Sequence, residues 1–419
     1  MILVTGGCGF IGARFVLHWL AGEPVPLYGD GFAVRDCLHV DDHVAALVAV
    51  LEHAAPGQSY HVAGHQTMTN LASIERPVEA FRVETRDRPG HDRRQAMDDS
   101  KVRSRTGAPR ASLRVLLLGG HGRLGSAIAA RFGPQSRALA DGRIELLAPA
   151  RRELALDPKS PAEAATRWYA RWRPDVVVNC IALSDVDRCA REPVSAAQLN
   201  AALPAALARA AARSGARLIH FSTDYVFDGT LRRPYREDDA PGPLSVYGAT
   251  KLDGERAIAD AGCRHWIFRI SWLYGAAQSN LSAMLLEPAS AGRTIRLAND
   301  RLGVPNPVQL LAQEVTDCVA RDVLPGAAPP LAPSGLYHLS CHGATSWYDF
   351  GVAFVREAIR TGRLAAARAP KLEGFAEATL ARPAQRPAYS ALDPSRYESS
   401  FGRVMPHWEA AIAAALGRQ

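Results

Sequence analysis

The sequence predicts an α/β protein built on a doubly wound, Rossmann-like parallel sheet, with a smaller C-terminal lobe and an incomplete α/β lobe at the N-terminus. Two observations carry this prediction. From Leu113 to the end, apolar runs of strand length alternate with amphipathic helices rich in Ala and Leu. Glycine-rich turns at residues 6–12 and 119–125 each follow such a run and open a helix. Strands that alternate with helices are typical of a parallel sheet covered on both faces.

The composition restricts the class of protein. A chain of 419 residues exceeds one ordinary domain, so we expect two or three core-bearing units. Hydrophobic residues make up 47% and charged residues 22%, as in soluble globular proteins. The net charge of +7 permits an anionic ligand, but no basic run indicates nucleic acid as a partner.

Location and metal content are also predicted from the composition. Apolar runs are too short to cross a membrane, and the N-terminus enters a strand without a basic leader, so neither a membrane span nor a secretion signal is expected. Seven cysteines are scattered without metal-ligand spacing. They predict reduced thiols, no metal site and a cytoplasmic protein.

The first glycine-rich turn, in MILVTGGCGFIGARFVLHWL, is not followed by the second strand of a dinucleotide fold. The segments PLYGDGFAVRDCLHVDDHVAAL, PGQSYHVAG and RDRPGHDRRQAMDDSKVRSRTGAPR resemble the C-terminal part of dTDP-glucose 4,6-dehydratases, and the opening twenty residues resemble their N-terminus. The catalytic Tyr-x-x-x-Lys and acid pair of that family are missing between them. Residues 1–109 are therefore predicted to be a truncated dehydratase-like lobe. It is either a passenger or a surface that still binds a nucleotide or partner through Arg35, Arg88, His91 and Arg93.

The second glycine-rich turn predicts a dinucleotide phosphate site. In LRVLLLGGHGRLGSAIAARF a buried-type strand, the turn and a helix follow one another. Glycines let the backbone approach a pyrophosphate at a helix N-terminus. The residues assigned to the cofactor in this turn are Gly119, Gly122, Arg123, Leu124 and Gly125.

An arginine pair follows the next strand, where an acid commonly binds the ribose. Arg151 and Arg152 come after RIELLAPA, and Glu145 falls inside the strand. Two guanidinium groups there would pair with a 2′-phosphate, which favours NADPH over NADH; a solvated pair is the alternative. Beyond the strand PDVVVN, Ala182 belongs to a loop expected along the cofactor. Asn200, in the following helix, either braces the active-site strands or is an ordinary satisfied amide.

The stretch RLIHFSTDYVFDGTLRRPYREDDAPGPLSVYGATK brings a hydroxyl, a phenol and an ammonium together. A short apolar strand delivers Ser222, Thr223 and Asp224 to its C-terminal end, and Tyr247 and Lys251 share one face of a helix. An ammonium near a phenol favours phenolate and lowers the pKa of the phenol toward neutrality, as suits acid catalysis of ketone reduction. The alternative is a Tyr and a Lys on a solvated helix face.

From Leu113 onward the motifs, taken in order, resemble dTDP-4-dehydrorhamnose reductase, a family of the extended short-chain dehydrogenase/reductase superfamily. The resemblance rests on GGHGRLG, STDYVFDG, PYREDDAPGPLSVYGATKLDGE, FRISWLYG, NDRLGVPN, GLYHLS, TSWYDF, RPAYSALD and PHW. It implies a reductase domain over residues 113–419, with its substrate lobe at roughly 275–310 and 340–400. It also implies NADPH-dependent reduction of the C4 ketone of dTDP-4-dehydro-L-rhamnose to dTDP-L-rhamnose, a precursor of cell-surface polysaccharide.

The resemblance also implies individual roles. Tyr247 matches the general acid, Lys251 its cofactor-ribose partner, and Thr223 the hydroxyl that bonds the keto oxygen. Further contacts are expected from Ser222 to the cofactor, and to the sugar nucleotide from Asp224, Trp272 and Arg386. Ala127 stands where some members carry a metal-binding glutamate, so no metal-bridged dimer is expected, and a monomer or homodimer is predicted.

Two other functions stay open at this point. One is a non-catalytic regulatory subunit that binds NADP and a nucleotide sugar. The other is a reductase of a different 4-keto-6-deoxy sugar nucleotide, with NADH as the alternative cofactor. A dTDP-sugar dehydratase or epimerase is the candidate protein partner, docked through the N-terminal lobe.

Overall fold

The computed structural model describes residues 113–132, 144–154, 160–275, 280–286, 294–323 and 332–417, together with five short strands nearer the N-terminus. The chain divides into two compact units, Met1–Ala111 and Ser112–Gln419. The strands of the first unit are β1 (Val25–Tyr28), β2 (Val34–Cys37), β3 (Gln66–Thr69), β4 (Arg82–Thr85) and β5 (Arg94–Gln95). β1 pairs in parallel with β4, and β2 pairs with β3 and β5. The first glycine-rich turn and Arg88, His91 and Arg93 lie outside the described residues.

The second unit holds the remaining elements. Its strands are β6 (Leu113–Leu118), β7 (Ile144–Leu147), β8 (Val176–Asn179), β9 (Arg217–Thr223), β10 (Arg264–Ile270), β11 (Leu273–Tyr274), β12 (Thr294–Ala298), β13 (Leu302–Gly303), β14 (Asn306–Pro307), β15 (Gly335–His338), β16 (Thr345–Ser346) and β17 (Lys371–Phe375). Its helices are α1 (Arg123–Arg131), α2 (Arg151–Leu154), α3 (Pro161–Trp172), α4 (Val186–Arg191), α5 (Pro193–Ala197), α6 (Leu203–Ser214), α7 (Val246–Asp260), α8 (Asn280–Leu286), α9 (Val308–Val323), α10 (Trp347–Arg360), α11 (Ser395–Phe401) and α12 (Trp408–Gly417). A π-helical turn, Gln198–Ala202, joins α5 to α6.

A parallel sheet of six strands forms the centre of this unit, in the order β7–β6–β8–β9–β10–β15. Alternate side chains of its strands enter two different cores. Val115 and Leu117 of β6 face α1, α9 and α11, whereas Leu116 and Leu118 face α3 and α6. The predicted doubly wound α/β sheet is therefore confirmed. The strand order reverses between β6 and β8, which is where folds of this kind bind ligands.

A third core lies outside the sheet and belongs to a smaller lobe. It packs Tyr274, Ile295 and Leu297 against Phe350 and Phe354 of α10, and it extends to α12. Short ladders join its segments: β12 with β17, β11 with β14, and β13 with β16. The smaller lobe is therefore assembled from segments that are far apart in the chain. No helix in the described part of the chain is both long and apolar enough to cross a bilayer.

Candidate active site

The second glycine-rich turn lies at the switch point of the sheet and forms a close-packed backbone cradle. Gly119 has φ +78°, and a Cβ there would lie 3.0 Å from the backbone of Cys180, in the loop after β8. A Cβ on Gly125 would lie 2.1 Å from the carbonyl oxygen of Gly119, so only glycine fits. Leu124 is buried beneath the turn, and Gly122 and Arg123 are exposed at the N-terminus of α1. This arrangement suits a pyrophosphate.

The arginine pair lies beyond the end of β7, in solvent. Arg151 and Arg152 open α2, and both side chains are exposed. Glu145 is held inside β7 by Arg114, whose Nε lies 2.9 Å from the Glu145 carboxylate. Glu145 is thus used within the sheet, and the arginines are the charged groups free to meet a ribose phosphate.

The loop after β8, which is expected along the cofactor, is fixed by Asn200. The Asn200 side chain accepts a hydrogen bond from the Leu183 amide (2.9 Å) and donates to the Leu183 carbonyl (3.0 Å) and to the Thr250 hydroxyl on α7 (3.2 Å). It is fully buried. Of the two readings of Asn200, the bracing one fits these contacts. Ala182 is exposed beside the braced position.

At the carboxyl end of β9 the side chains of Thr223 and Asp224 are interlocked. The Thr223 hydroxyl donates to Asp224 (3.1 Å), which also accepts from the hydroxyls of Ser271 (3.1 Å) and Ser390 (2.5 Å). Burial raises the pKa of Asp224 to about 6, although these three hydrogen bonds oppose the rise. Both carboxylate oxygens are engaged by protein hydroxyls, so in the ligand-free chain Asp224 positions Thr223. The Ser222 hydroxyl is buried and has no hydrogen-bond partner among the described residues.

Tyr247 lies at the start of α7, where the Ser245 side chain caps the helix. Its ring meets Tyr225 edge-on, with 6.0 Å between ring centroids. Burial raises the pKa of the phenol, and the interactions opposing this rise come from Thr223 and from the positive charge of Arg123. The sequence assigned that lowering to Lys251. In the structure the Thr223 hydroxyl is the larger of the two opposing interactions, and Arg123 of the glycine-rich turn is the smaller.

Lys251 lies one turn further along α7 and is 2% exposed. Its Nζ donates to the carbonyl oxygen of Phe221 (2.5 Å) and lies 3.1 Å from Nε2 of His220, both on β9. Burial lowers the pKa of Lys251 to about 8, and the negative charge of Glu255 opposes the shift. The lysine is therefore not on a solvated helix face, and that alternative is excluded.

The two predicted substrate residues on the smaller-lobe side are both packed against protein. Trp272 stacks on Trp347, with ring centroids 4.1 Å apart and planes 8° from parallel. Arg386 makes two hydrogen bonds to the Asp187 carboxylate on α4, at 2.9 and 3.2 Å. Trp347 and Asp187 were not predicted as site residues. Their partners are distant in sequence, and no local pattern signals such pairs.

Comparison with known proteins gives consistent family matches. The family model described as RmlD substrate binding domain matches residues 113–419, and the NAD dependent epimerase/dehydratase family model matches residues 13–63. The dTDP-4-dehydrorhamnose reductase of Salmonella typhimurium is 36% identical over 260 residues, covering 62% of this chain and 83% of that protein. The Streptomyces griseus protein of the same name is 38% identical over 247 residues, covering 58% and 76%.

Solved structures of similar fold carry the same description. A dTDP-4-dehydrorhamnose reductase from Clostridium acetobutylicum superposes with a TM-score of 0.61 at 28% identity, covering 73% of this chain and 98% of its own. One from Bacillus anthracis, in complex with NADP, superposes with a TM-score of 0.60 at 24% identity, covering 72% and 98%. At that identity the second likeness concerns the fold alone.

Proposed function

Because the chain belongs to the RmlD substrate binding domain family, we propose that it is an NADPH-dependent reductase of dTDP-4-dehydro-L-rhamnose, producing dTDP-L-rhamnose for polysaccharide synthesis. One observation carries the proposal. Thr223, Tyr247 and Lys251 meet at the carboxyl end of β9, beside the switch point of a dinucleotide-type sheet. The 36% identity to a curated reductase supports the same activity.

The chain has the features that NADPH requires. The close-packed glycine turn at Gly119 and Gly125 leads into the N-terminus of α1, which suits a pyrophosphate. The unpartnered hydroxyl of Ser222 lies at the end of β9. Arg151 and Arg152 are exposed at the position where a 2′-phosphate would be met. Bound NADPH would supply the hydride that adds to C4 of the sugar.

The protein's own contribution is to protonate the oxygen on which charge develops. A partly buried phenol with a raised pKa remains protonated at neutral pH, so Tyr247 enters the reaction as a proton donor. Hydride addition places negative charge on the keto oxygen, and the Tyr247 phenol can transfer its proton to that oxygen. The Thr223 hydroxyl, which can rotate from Asp224 toward the keto oxygen, is a second donor.

The smaller lobe would hold the sugar nucleotide. The stacked pair Trp272 and Trp347 offers a flat apolar surface for a deoxysugar or base. Arg386 carries the planar fork that suits a diphosphate. Burial of the catalytic groups excludes water, which strengthens each hydrogen bond to the substrate.

The test is to incubate the chain with dTDP-4-dehydro-L-rhamnose and either NADPH or NADH, following cofactor oxidation and identifying the sugar product. Formation of dTDP-L-rhamnose with NADPH preferred is the expected result. Binding of NADP and the nucleotide sugar without turnover would instead support the regulatory subunit. Turnover of only another 4-keto-6-deoxy sugar nucleotide would replace the substrate.

We also propose a dTDP-sugar dehydratase as the partner of the first unit. The match of residues 13–63 to the NAD dependent epimerase/dehydratase family supports a dehydratase-like surface there. Purified dTDP-glucose 4,6-dehydratase should bind the full chain and not a chain that begins at Leu113. Equal binding to both would refute this. Sedimentation of the full chain alone would separate monomer from homodimer.

We place the protein in the cytoplasm. Its described cysteines are all free thiols, and four of the five are buried, as is typical of a reducing compartment. Recovery of the native protein from the periplasmic rather than the cytoplasmic fraction would contradict this location.

A further inference from the structure

A continuous line of hydrogen bonds runs through the interior from the loop after β8 to Lys251. The Ile181 amide donates to Oδ1 of Asn179 (3.1 Å), and Nδ2 of Asn179 lies 3.1 Å from Nδ1 of His220. Nε2 of His220 lies 3.1 Å from Nζ of Lys251, which donates to the Phe221 carbonyl. The side chains of Asn179, His220 and Lys251 are at most 2% exposed.

The direction of each bond in this line follows from its first member. A backbone N–H can only donate, so the Asn179 oxygen must face Ile181, and the amide nitrogen must face His220. That nitrogen donates, so Nδ1 of His220 is an acceptor and carries no proton. Burial holds the pKa of His220 well below its usual range, so the ring is neutral. A neutral ring has one proton, which therefore lies on Nε2.

Nε2–H points at Nζ of Lys251, and this contact has a consequence for the lysine. An ammonium group has donors only, and two donors cannot bond to each other at 3.1 Å. A neutral amine has a lone pair for Nε2–H and can still donate to the Phe221 carbonyl. We propose that His220 is a positioning residue that holds Lys251 as a neutral amine in the ligand-free chain, with Asn179 fixing the tautomer.

The other charged groups around Lys251 are compatible with an amine. Glu255, one turn further along α7, is neutralised by Arg269 of β10 through hydrogen bonds of 2.7 and 2.9 Å. Burial raises the pKa of Cys180 to about 12, so its thiol is uncharged. Tyr247 is a neutral phenol. Among the described residues, the surroundings hold no unpaired anion that would retain an ammonium. Burial lowers the pKa of Lys251 to about 8, and the hydrogen bond from Nε2–H of His220 lowers it further, below neutrality.

For the reductase the consequence, which rests on the proposed function, concerns when the positive charge arrives. The ammonium that would stabilise the Tyr247 phenolate is absent from the resting chain, so it has to form by proton uptake from water before it can act. His220 thus favours the neutral amine of Lys251 at rest, and the ammonium is the form that would act in catalysis. This goes beyond the general role of a lysine beside a catalytic tyrosine.

The ligand-free chain allows a direct test, because it contains only four lysines. In protein labelled with 13C at lysine Cε, the Lys251 signal should titrate below about pH 7, whereas an ordinary lysine titrates near 10.4. In His220→Phe, which keeps a flat ring, the amine loses its donor, so the midpoint should rise by about one pH unit. A fall would mean that His220 accepts from an ammonium and would overturn the proposal, as would no change.

His265→Phe is the matched control, since it removes another buried imidazole, on β10, that bonds the Cys263 carbonyl. It should leave the Lys251 midpoint unchanged. If His220→Phe does not fold, the wild-type chain still decides the matter: 15N signals of its histidines, compared with those of His220→Gln, show which ring nitrogen is protonated. Protonation at Nε2 supports the proposal, and protonation at Nδ1 overturns it. Neither measurement needs substrate, so each stands even if the chain reduces a different sugar.

Discussion

The cations of the cleft are held in opposite ways at its two ends. Lys251, at the catalytic end, is buried between α7 and β9, and its charge depends on burial and on the bond from His220. Arg151 and Arg152, at the cofactor end, are exposed and keep their charge in water. The comparison indicates a division of labour: exposed guanidinium groups bind anions, whereas the buried amine is a group whose charge can be changed during a reaction.

The largest effect is expected from Tyr247→Phe, which removes the proposed proton donor and leaves the ring that packs against Tyr225. Loss of a positioned general acid lowers kcat by roughly 10²–10⁴. The KM of NADPH should change little, because the phenol acts in the transition state. Steady-state NADPH oxidation measures both.

Tyr169→Phe is the matched control, since it removes a buried phenol that donates to the Leu207 carbonyl in the core between α3 and α6. It should reduce stability and leave kcat unchanged. A Tyr247→Phe chain as active as the wild type would mean that another group protonates the sugar. The buried end of the cleft would then have no demonstrated catalytic role.

The other half of the comparison is tested by replacing Arg151 and Arg152 together with Ala. A charge-assisted bond to a phosphate contributes about 1.5–3 kcal/mol, and because both side chains are exposed we expect the pair to contribute about as much as one such bond. The KM of NADPH should therefore rise roughly tenfold to a hundredfold. The KM of NADH, which lacks the phosphate, should not rise. Higher salt should weaken NADPH binding in the wild type more than in the variant.

The control for this pair is Arg209→Ala with Arg213→Ala, which removes the same charge from the exposed face of α6. It should leave the ratio of the two KM values as in the wild type. If the KM of NADPH and the KM of NADH rose equally in the Arg151 and Arg152 variant, the pair would not recognise the 2′-phosphate.

A third prediction concerns the buried acid at the catalytic end. The pKa of Asp224 is raised to about 6 in the folded chain from an ordinary value near 4. Folding is therefore favoured by this group below about pH 4, and that contribution is lost as the pH rises through 6. Between pH 4 and 7.5 the wild type should lose about 2 kcal/mol of unfolding free energy relative to Asp224→Asn, measured in urea.

Asp253→Asn, on the exposed face of α7, serves as the reference. Its stability should follow that of the wild type at every pH. If the difference between Asp224→Asn and the wild type were the same at pH 4 and pH 7.5, Asp224 would titrate normally and its hydroxyl partners would fully compensate its burial.

The sequence was sufficient to predict those parts of the site whose residues are close together in the chain. The strand that delivers Ser222 and Thr223, the helix that carries Tyr247 and Lys251, and the glycine cradle each follow from residues within one turn or one strand of each other. The alternation of strands and helices also predicted the parallel sheet, because short apolar runs and amphipathic helical patterns can be told apart in the sequence.

The sequence did not predict the environment of those groups. His220 is a polar residue inside an apolar strand, and that local signal was available, but its partner Lys251 is 31 residues away. The sequence predicted that the lysine charge would lower the pKa of Tyr247. That prediction did not include burial, which raises the pKa. The Arg386–Asp187 pair joins residues 199 positions apart, so only the fold brings them together.

Substitutions in this pair give the smallest expected effect. The exposure of Arg386 is intermediate between those of Lys251 and Arg151. Arg386 is 15% exposed, neither buried like Lys251 nor free like Arg151, and its two bonds to Asp187 hold the pKa of that acid below its usual range. Lysine at this position would keep the charge but lose the fork, so Arg386→Lys should raise the KM of the dTDP-sugar several-fold, by about 1 kcal/mol, with little change in kcat. Arg382 on the same loop, 38% exposed and 3.6 Å from Asp187, is the internal control. Arg382→Lys should alter KM much less, because its weaker, more exposed contact depends less on geometry. If both substitutions changed KM equally, the loop would attract the substrate by charge alone, as the exposed arginines do.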